Sequence, residues 1–321
     1  PRGRVTGVSP RPSPMEPHPY GVEPEGAALL RGGPASAARA AAAKAAGLGA
    51  LGGLGDEGLL LLLGHELLGG AAALCALACC SRAAYAFAHA PELWRGAHLA
   101  WCETSNGGVL AFPPGSRSWR EAHLKALAAR GEMPAAAAEA PHRPLGAGAA
   151  GGVPSDLLYQ PWVCAAAPLA PEWLERGGVE RAELGSLTPE EFASRYEGPC
   201  RPVVLTGGDF GSEGGRGGWA PEALAEAYGG GAAAAGGLRV RVREYLAYCR
   251  AHEEAPLDDQ PLYLFDREFA SEAPQLAERY RPPPCVPADL FALLGRAGRP
   301  HWRWLICGPA RSGSSFHVDP N

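Results

Sequence analysis

Residues 308–321 read Gly-Pro-Ala-Arg-Ser-Gly-Ser-Ser-Phe-His-Val-Asp-Pro-Asn. His317 and Asp319 stand two positions apart, and on an extended segment side chains at that spacing lie on the same face. An imidazole and a carboxylate held side by side are two of the three protein ligands in the 2-His-1-carboxylate triad that binds Fe(II). The pair therefore predicts half of a metal site, provided that the surrounding sequence supports it.

A purely structural role is the alternative for the same two residues. The chain has nine histidines, so a His-x-Asp spacing arises readily by chance. His317 would then be a strand histidine hydrogen-bonded in a core, and Asp319 would open an Asp-Pro-Asn turn. The spacing alone leaves both interpretations open.

Composition places the chain among ordinary globular proteins. Its 321 residues are 46% hydrophobic and 20% charged, which favours two domains. The net charge of −5 argues against a general nucleic-acid binder, so we expect no direct nucleic-acid site. The apolar run Leu59–Leu63 is flanked by charged residues and is far shorter than a membrane span, so we expect no membrane segment. Nine cysteines without a C-x-x-C spacing indicate reduced intracellular thiols, mostly buried, in the nucleus, the cytoplasm or both.

Changes in composition divide the chain into four parts. The predicted parts are a disordered tail over residues 1–46, a helical module over 47–130, a low-complexity linker over 131–155 and a strand-rich domain over 156–321. In the helical module, Leu74, Ala84 and Phe87 lie on one arc of a predicted helix. Pro91–Arg95 is expected to close this helical unit. Serine and glutamate at 118 and 121 predict a capped start for the next helix, and Thr188 with Glu191 predicts another.

The strand-rich part carries four short apolar runs with turn residues between them. They predict strands at 202–206, 238–243, 261–265 and 302–307, a pattern typical of a β-sandwich or barrel. The polar stretch His252–Glu254 predicts a solvated loop, and a short helix is expected around Leu290 and Phe291. A phosphate-binding loop at Gly308–Ser314 is excluded because the lysine that would reach the phosphates is missing.

The segment 301–321 closely resembles the metal-binding segment of the JmjC (jumonji C) oxygenases. Within that family it is most similar to the phosphatidylserine-receptor-like branch, and above all to F-box/JmjC proteins of plant or algal type. Further runs follow in the family's order, so that the resemblance covers roughly residues 156–321: Val179-Glu180-Arg181, Glu190-Glu191-Phe192, Arg201-Pro202-Val203-Val204-Leu205, Pro261-Leu262-Tyr263-Leu264-Phe265-Asp266 and Asp289-Leu290-Phe291.

Residues 51–98 resemble the F-box, a helical motif that docks on the Skp-type adaptor of cullin ubiquitin ligases. The resembling runs are Leu54-Gly55-Asp56-Glu57, Cys79-Cys80-Ser81-Arg82 and Leu93-Trp94-Arg95. Gly55 departs from the usual proline, and Gly58 and Gly64 each weaken the first helix by about 1 kcal/mol relative to alanine. A small helical bundle that packs on the next domain is the alternative. The two resemblances together imply an α+β multidomain protein, with an F-box-like module followed by an incomplete double-stranded β-helix of the jelly-roll or cupin type.

The resemblance also implies a chemistry. His317 and Asp319 correspond to Fe(II) ligands, Tyr263 to a tyrosine whose hydroxyl contacts the cosubstrate 2-oxoglutarate, and Ser314 to a residue near the same cosubstrate. In the family the third metal ligand and the cosubstrate lysine follow this segment, so we expect the 321-residue polypeptide to bind iron poorly and to be inactive.

Two functions from different classes follow from these resemblances. The first is a protein hydroxylase or demethylase that acts on a lysine or a methylated arginine side chain. The second is a substrate receptor of a cullin-type ubiquitin ligase, which would bind a Skp-type adaptor through residues 51–98 and carry a non-catalytic JmjC domain.

Overall fold

The computed structural model describes residues 17–25, 33–65, 70–135, 137, 152–168, 178–208, 219–235, 238–254, 260–301, 303–314 and 317–318. Its helices are α1 Gly33–Leu48, α2 Gly55–Gly64, α3 Ala71–Ala78, α4 Arg82–Ala88, α5 Pro91–Ser105, α6 Trp119–Ala129, α7 Asp156–Ala166, α8 Pro189–Phe192, α9 Pro221–Tyr228, α10 Val242–Glu254, α11 Phe269–Glu272, α12 Pro274–Ala277 and α13 Gly295–Gly298. Its strands are β1 Val22–Glu23, β2 Val109–Leu110, β3 Val153–Pro154, β4 Glu180–Glu183, β5 Val203–Thr206, β6 Ala232–Ala235, β7 Leu238–Arg241, β8 Leu264–Asp266 and β9 Leu305–Cys307. This mixture of helix and sheet agrees with the predicted α+β class.

Hydroxyl side chains set the starts of several helices. Ser81, Ser118 and Ser155 each accept a hydrogen bond from the backbone N–H three residues later, which satisfies a donor that the helix itself cannot. Thr188 and Glu191 form a complete capping box at the start of α8. The starts predicted at 118 and at 188 are therefore confirmed.

The helical module contains more and shorter helices than the sequence predicts. The single helix expected through Leu74 and Phe87 is two helices, α3 and α4, because Ser81 lies in an extended conformation and caps a new one. Both Leu74 and Phe87 are buried, as predicted, whereas Cys80 between them is exposed. Pro91, expected to close the unit, occupies the first turn of α5, where a missing N–H costs nothing.

The N-terminal residues are ordered further forward than predicted. Disorder was expected up to residue 46, but α1 begins at Gly33, and β1 pairs in parallel with β3 from the predicted linker. Lys44 of α1 connects these segments: its Nζ lies 2.6 Å from Asp56 Oδ1 and 3.2 Å from Glu25 Oε1, and it donates to the carbonyl of Pro154 at 2.7 Å. Local composition could not show this, because every partner is distant in the sequence.

Among the described residues, Pro34–Gly64 is a helical stretch long and apolar enough by composition to cross a membrane, with a mean hydropathy of 1.4. Gly49 and Gly55 interrupt it with φ values of 56° and 67°, and Leu59 and Leu63 pack in the protein core. The charged Lys44 lies within the stretch, where a lipid environment would penalise it. A single helical stretch of this length and composition is weak evidence for a membrane span.

The central sheet has five strands in the order β2-β7-β6-β8-β9. Strand β2 pairs in parallel with β7, and the other neighbours are antiparallel. The alternation predicted for residues 238–243 is confirmed within β7, where Leu238 and Val240 are buried and the arginines between them are exposed. The strand ends at Arg241 because Val242 already begins α10.

The sheet and the helices share one hydrophobic core. Strand β2 lies between α5 and α6 in the chain, so the helical module supplies an edge strand to the sheet. The rings of Phe112 and Trp119 each lie 5.4 Å from the ring of Tyr248 on α10. The division into a helical module and a strand-rich domain therefore does not correspond to two separate cores.

Three predictions for the C-terminal part need correction. His252, predicted in a solvated loop, lies in α10 and is 3% exposed, because the helix continues to Glu254. Strand β5, predicted to be buried, pairs with β4 and with no other strand in the described part of the chain, and Val204 is exposed. Residues Leu290–Leu294 form an exposed 3₁₀ turn rather than an α-helix. The cysteines are also less buried than predicted, since Cys79, Cys80, Cys164 and Cys200 are exposed.

A pair of buried histidines joins α5 to α6. The Nε2 of His98 lies 2.6 Å from the carbonyl oxygen of Ala111 and therefore donates to it, which leaves Nδ1 to accept from Nδ1 of His123 at 3.3 Å. Protonation of His98 would set two N–H groups against each other. Burial lowers the pKa of both histidines to about 4.

Replacement of Lys44 should destabilise the protein much more than replacement of Lys125, the other lysine of the chain. Lys44→Met leaves the largely buried Asp56 carboxylate and the Pro154 carbonyl without their cation, so we expect a loss of about 2 kcal/mol. Lys125 forms a surface pair with Glu121, and Lys125→Met should cost at most about 0.5 kcal/mol. Urea unfolding of both variants measures the difference, and equal losses would contradict it.

Stability should fall as the pH drops from about 6.5 towards 4. In this window the unfolded chain binds protons at His98 and His123 that the folded protein excludes, so the stabilisation is complete above the unfolded pKa and is lost below it. The variant His98→Gln/His123→Gln should show a shallower dependence of the free energy of unfolding on pH. His301→Gln, at an exposed histidine, is the control and should keep the wild-type slope.

Candidate functional site

Strands β8 and β9 bring the two separate parts of the predicted site together. They are antiparallel, with Leu264 opposite Cys307 and Asp266 opposite Leu305. One position further, the register places Tyr263 opposite Gly308. The predicted cosubstrate tyrosine is thus next to the start of the segment that leads to His317.

Gly308 has no side chain, so the ring of Tyr263 can approach its backbone closely. A Cβ built at this position would lie 2.9 Å from Cδ2 of Tyr263 and 2.0 Å from Oγ of Ser312. Neither separation is possible for real atoms without displacement, so a larger residue would push the ring or the loop aside. The glycine is required for close packing here, which is a different reason from the phosphate-binding role that its spacing first suggests.

Two tyrosines of α10 hold the residues on either side of Tyr263. The hydroxyl of Tyr245 accepts from the backbone N–H of Leu264 at 3.0 Å and lies 2.8 Å from both the Leu262 and the Cys307 carbonyl oxygens. The hydroxyl of Tyr248, one helical turn later, accepts from the N–H of Leu262 at 2.8 Å. Burial is the largest cause that raises the pKa of Tyr245, so its hydroxyl remains a donor at neutral pH.

The loop after β9 is anchored at a second point. The backbone N–H and the hydroxyl of Ser312 both donate to the carbonyl of Pro309, at 3.1 and 2.6 Å, and close a tight turn. Arg311 has a φ of 68°, and its guanidinium donates to the carbonyls of Cys164 and Ala167 at the end of α7. A cation there also opposes the partial negative charge of the helix end. Helix α7 therefore anchors the loop after β9 at Arg311.

The remaining predicted residues are only partly placed. Ser314 and His317 are exposed, and Asp319 lies outside the described residues. Among the residues that the structure describes, no three His, Cys, Asp or Glu side chains come close enough to hold a metal ion. The donor chemistry of a histidine and an aspartate suits Fe(II), but this geometry leaves the metal site a prediction.

The sequence reasoning missed Tyr245, Tyr248 and Arg311. The two tyrosines stand three residues apart on one face of an amphipathic helix, a spacing that is visible in the sequence. The sequence pattern does not indicate this helix, because it predicts a strand that includes Val242 and Arg243 and a loop at His252. Arg311 had no such signal, since its partners lie about 145 residues earlier.

Comparison with known proteins tests the resemblance to the JmjC oxygenases independently of the structure. No protein-family model matches the chain. It is 34% identical over 268 residues to the arginine-specific demethylase JMJ22 of Arabidopsis thaliana, an alignment that covers 84% of this chain and 48% of the relative. It is 35% identical over 152 residues to the lysine-specific demethylase JMJ21 of the same plant, covering 46% of this chain and 15% of the relative.

A third relative comes from an animal. The bifunctional arginine demethylase and lysyl-hydroxylase psr-1 of Caenorhabditis elegans is 33% identical over 153 residues, which cover 45% of this chain and 37% of the relative. The homologues of the present chain are thus JmjC-type arginine and lysine demethylases. The JmjC resemblance predicted from the 301–321 segment is thereby supported, although the chain spans about half the length, or less, of the JmjC relatives that it matches.

Removal of the Tyr245 hydroxyl should destabilise the backbone on either side of Tyr263. Tyr245→Phe leaves the Leu264 N–H and a buried carbonyl unsatisfied, so we expect a loss of about 2 kcal/mol in the free energy of unfolding. Amide hydrogen exchange at Leu264 should accelerate with it. Tyr159→Phe, at a partly exposed tyrosine of α7, is the control; unchanged exchange at Leu264 in Tyr245→Phe would rule out the anchoring role.

Proposed function

We propose that the chain is part of an Fe(II)- and 2-oxoglutarate-dependent JmjC oxygenase that acts on arginine or lysine side chains of proteins. The observation that carries the proposal is the similarity to an arginine-specific demethylase over 84% of this chain. The placement of Tyr263 against Gly308, next to the segment that leads to His317, supports it.

In this proposal each residue has a stated role. His317 and Asp319 would hold the iron through a neutral imidazole and a carboxylate. The Tyr263 hydroxyl would donate a hydrogen bond to 2-oxoglutarate, and Ser314 would contact the same molecule. Bound iron, with 2-oxoglutarate and oxygen, would supply the oxidation of a substrate C–H bond. Hydroxylation at an N-methyl carbon leads to demethylation, whereas hydroxylation of a lysine side chain is itself the product.

The surroundings of the proposed site suit these roles. Tyr245 contacts the residues on either side of Tyr263, and Arg311 anchors the loop after β9, so two separate contacts hold the two parts of the site. When the binding groups are already held in position, less conformational entropy is lost as the cosubstrate binds. The sheet, rather than the loop alone, would therefore set the cosubstrate position.

The test uses the protein expressed from its complete gene. Succinate formation from 2-oxoglutarate should accompany demethylation of a methylarginine peptide or hydroxylation of a lysine peptide. His317→Ala and Asp319→Ala should each lower this rate by at least about 100-fold, since they remove metal ligands. His65→Ala, at an exposed histidine of the helical module, should leave the rate unchanged.

Tyr263→Phe separates cosubstrate binding from metal binding. Loss of one hydrogen bond to a carboxylate should raise the KM for 2-oxoglutarate by about tenfold while metal affinity stays the same. A purified protein that carries these residues and shows no 2-oxoglutarate turnover with either peptide would refute the oxygenase proposal.

A second function is proposed for the helical module. Leu54 and Leu61 at its first helix are 49% and 70% exposed, which leaves apolar surface available to a partner. We propose that residues 51–98 bind a Skp-type adaptor, in which case the protein would also serve as a substrate receptor of a cullin-type ubiquitin ligase. Co-purification of a Skp-type adaptor with the intact protein, lost in Leu61→Glu, tests this role.

A further inference from the structure

Helices α2, α3 and α5 surround an open groove on the helical module. Its volume is about 1090 Å³, slightly above the range of about 300–1,000 Å³ that is usual for small-molecule sites. The side chains of Leu63 and Leu93 form part of its base and are buried, while Leu60 and Leu61 form one wall. The groove is thus apolar, and it is wide enough for part of a macromolecule.

Small residues on α5 keep the groove open. Gly96, Ala97 and Ala100 line it at helical spacing, and a Cβ built on Gly96 would meet no atom within 4 Å. Because small side chains allow the backbones of two elements to approach closely, this wall suits a partner helix. Trp101, one residue beyond, also lines the groove, and its ring packs against His98 and the guanidinium of Arg130.

Carboxylates predominate among the charged groups at the groove, and the nearest cation that the structure shows is Arg130, 5.5 Å from the ring of Trp101. Glu57, Glu92 and Glu103 line it and are exposed, and none of the described lining residues is a lysine or an arginine. His123, which also lines the groove, has its pKa lowered to about 4 by burial and is neutral at physiological pH. Three carboxylates around an apolar base complement a partner that is apolar on one face and cationic at its borders.

We propose that this groove binds an amphipathic helix whose apolar face is bordered by lysine or arginine. The apolar residues would enter between Leu61 and Trp101 at i, i+3, i+4 and i+7 spacing, and the cations would meet the three carboxylates. The inference does not depend on the oxygenase function. Nor does it depend on adaptor binding by residues 51–98, because the groove and its carboxylates are observed independently of that role.

The test measures binding of synthetic peptides to the whole protein by fluorescence anisotropy. The probe is an 18-residue peptide with leucine at helical spacing and lysine at the remaining positions, and its counterpart has glutamate in place of lysine. The lysine peptide should bind, with an affinity that falls as salt is added, and the glutamate peptide should not. Equal binding of both peptides would overturn the proposed charge selectivity.

Filling the groove should block the peptide without unfolding the protein. Gly96→Phe projects a ring into open space and should raise the Kd at least tenfold, with a far-UV circular dichroism spectrum like that of the wild type. Gly96→Ala leaves the groove open and should keep the Kd within threefold while it raises Tm, because alanine favours the helix. An unchanged Kd in Gly96→Phe would overturn the proposal.

Matched charge variants separate the groove from the overall negative charge. Glu57→Gln/Glu92→Gln/Glu103→Gln should raise the Kd of the lysine peptide at least tenfold. The control, Glu190→Gln/Glu222→Gln/Glu226→Gln, removes the same number of exposed carboxylates elsewhere and should change it less than twofold. Equal effects of the two variants would mean non-specific attraction and would overturn the groove as the site.

Two other occupants give distinct results. If a second copy of the chain covers the groove, sedimentation will show a dimer that Gly96→Phe converts to a monomer, and the proposal is then wrong. If a Skp-type adaptor still co-purifies with Gly96→Phe while the peptide no longer binds, the adaptor uses another surface and the groove proposal stands. Succinate formation should be the same in Gly96→Phe and wild type, which keeps the oxygenase proposal separate.

Discussion

The Tyr245 hydroxyl is the contact on which the candidate site depends. One oxygen atom lies within 3.0 Å of the Leu264 nitrogen and within 2.8 Å of the Leu262 and Cys307 carbonyls, so it joins α10 to both β8 and β9. In a buried environment each of these groups would be costly to leave unsatisfied. Since Tyr263 follows Leu262 directly, the orientation of the proposed cosubstrate tyrosine is determined by a helix that itself contributes no predicted ligand.

The helix that carries Tyr245 is in turn held by the N-terminal module. Tyr248 packs against Phe112 and Trp119, and β2, from the same loop, pairs with β7 at the far edge of the sheet. A change in this aromatic cluster would therefore reach β8 through α10. The sequence predicts a separate adaptor-binding unit here. In the structure the same residues support the sheet, and deletion of the module would remove an edge strand.

Local features of the sequence were predicted well, and long-range ones were not. Caps at Ser118 and Thr188 and the alternation in β7 depend on neighbouring residues, so their physical cause is contained in the sequence pattern. The ordered α1 depends on Lys44 meeting Asp56 and Pro154, and the burial of His252 depends on how α10 packs. At the site, resemblance identified Tyr263, but only the pairing of β8 with β9 explained its position beside Gly308.

Charge links the groove to the proposed chemistry. The chain has a net charge of −5, its relatives demethylate arginine or lysine, and arginine- and lysine-rich segments are cationic. Carboxylates around an apolar groove raise the local concentration of such segments and speed their encounter with the protein. Because the helical module shares a hydrophobic core with the sheet, a basic helix bound in the groove would lie on the same folded unit as β8. Where that helix belongs to a substrate, docking would raise the effective concentration of the substrate at the site.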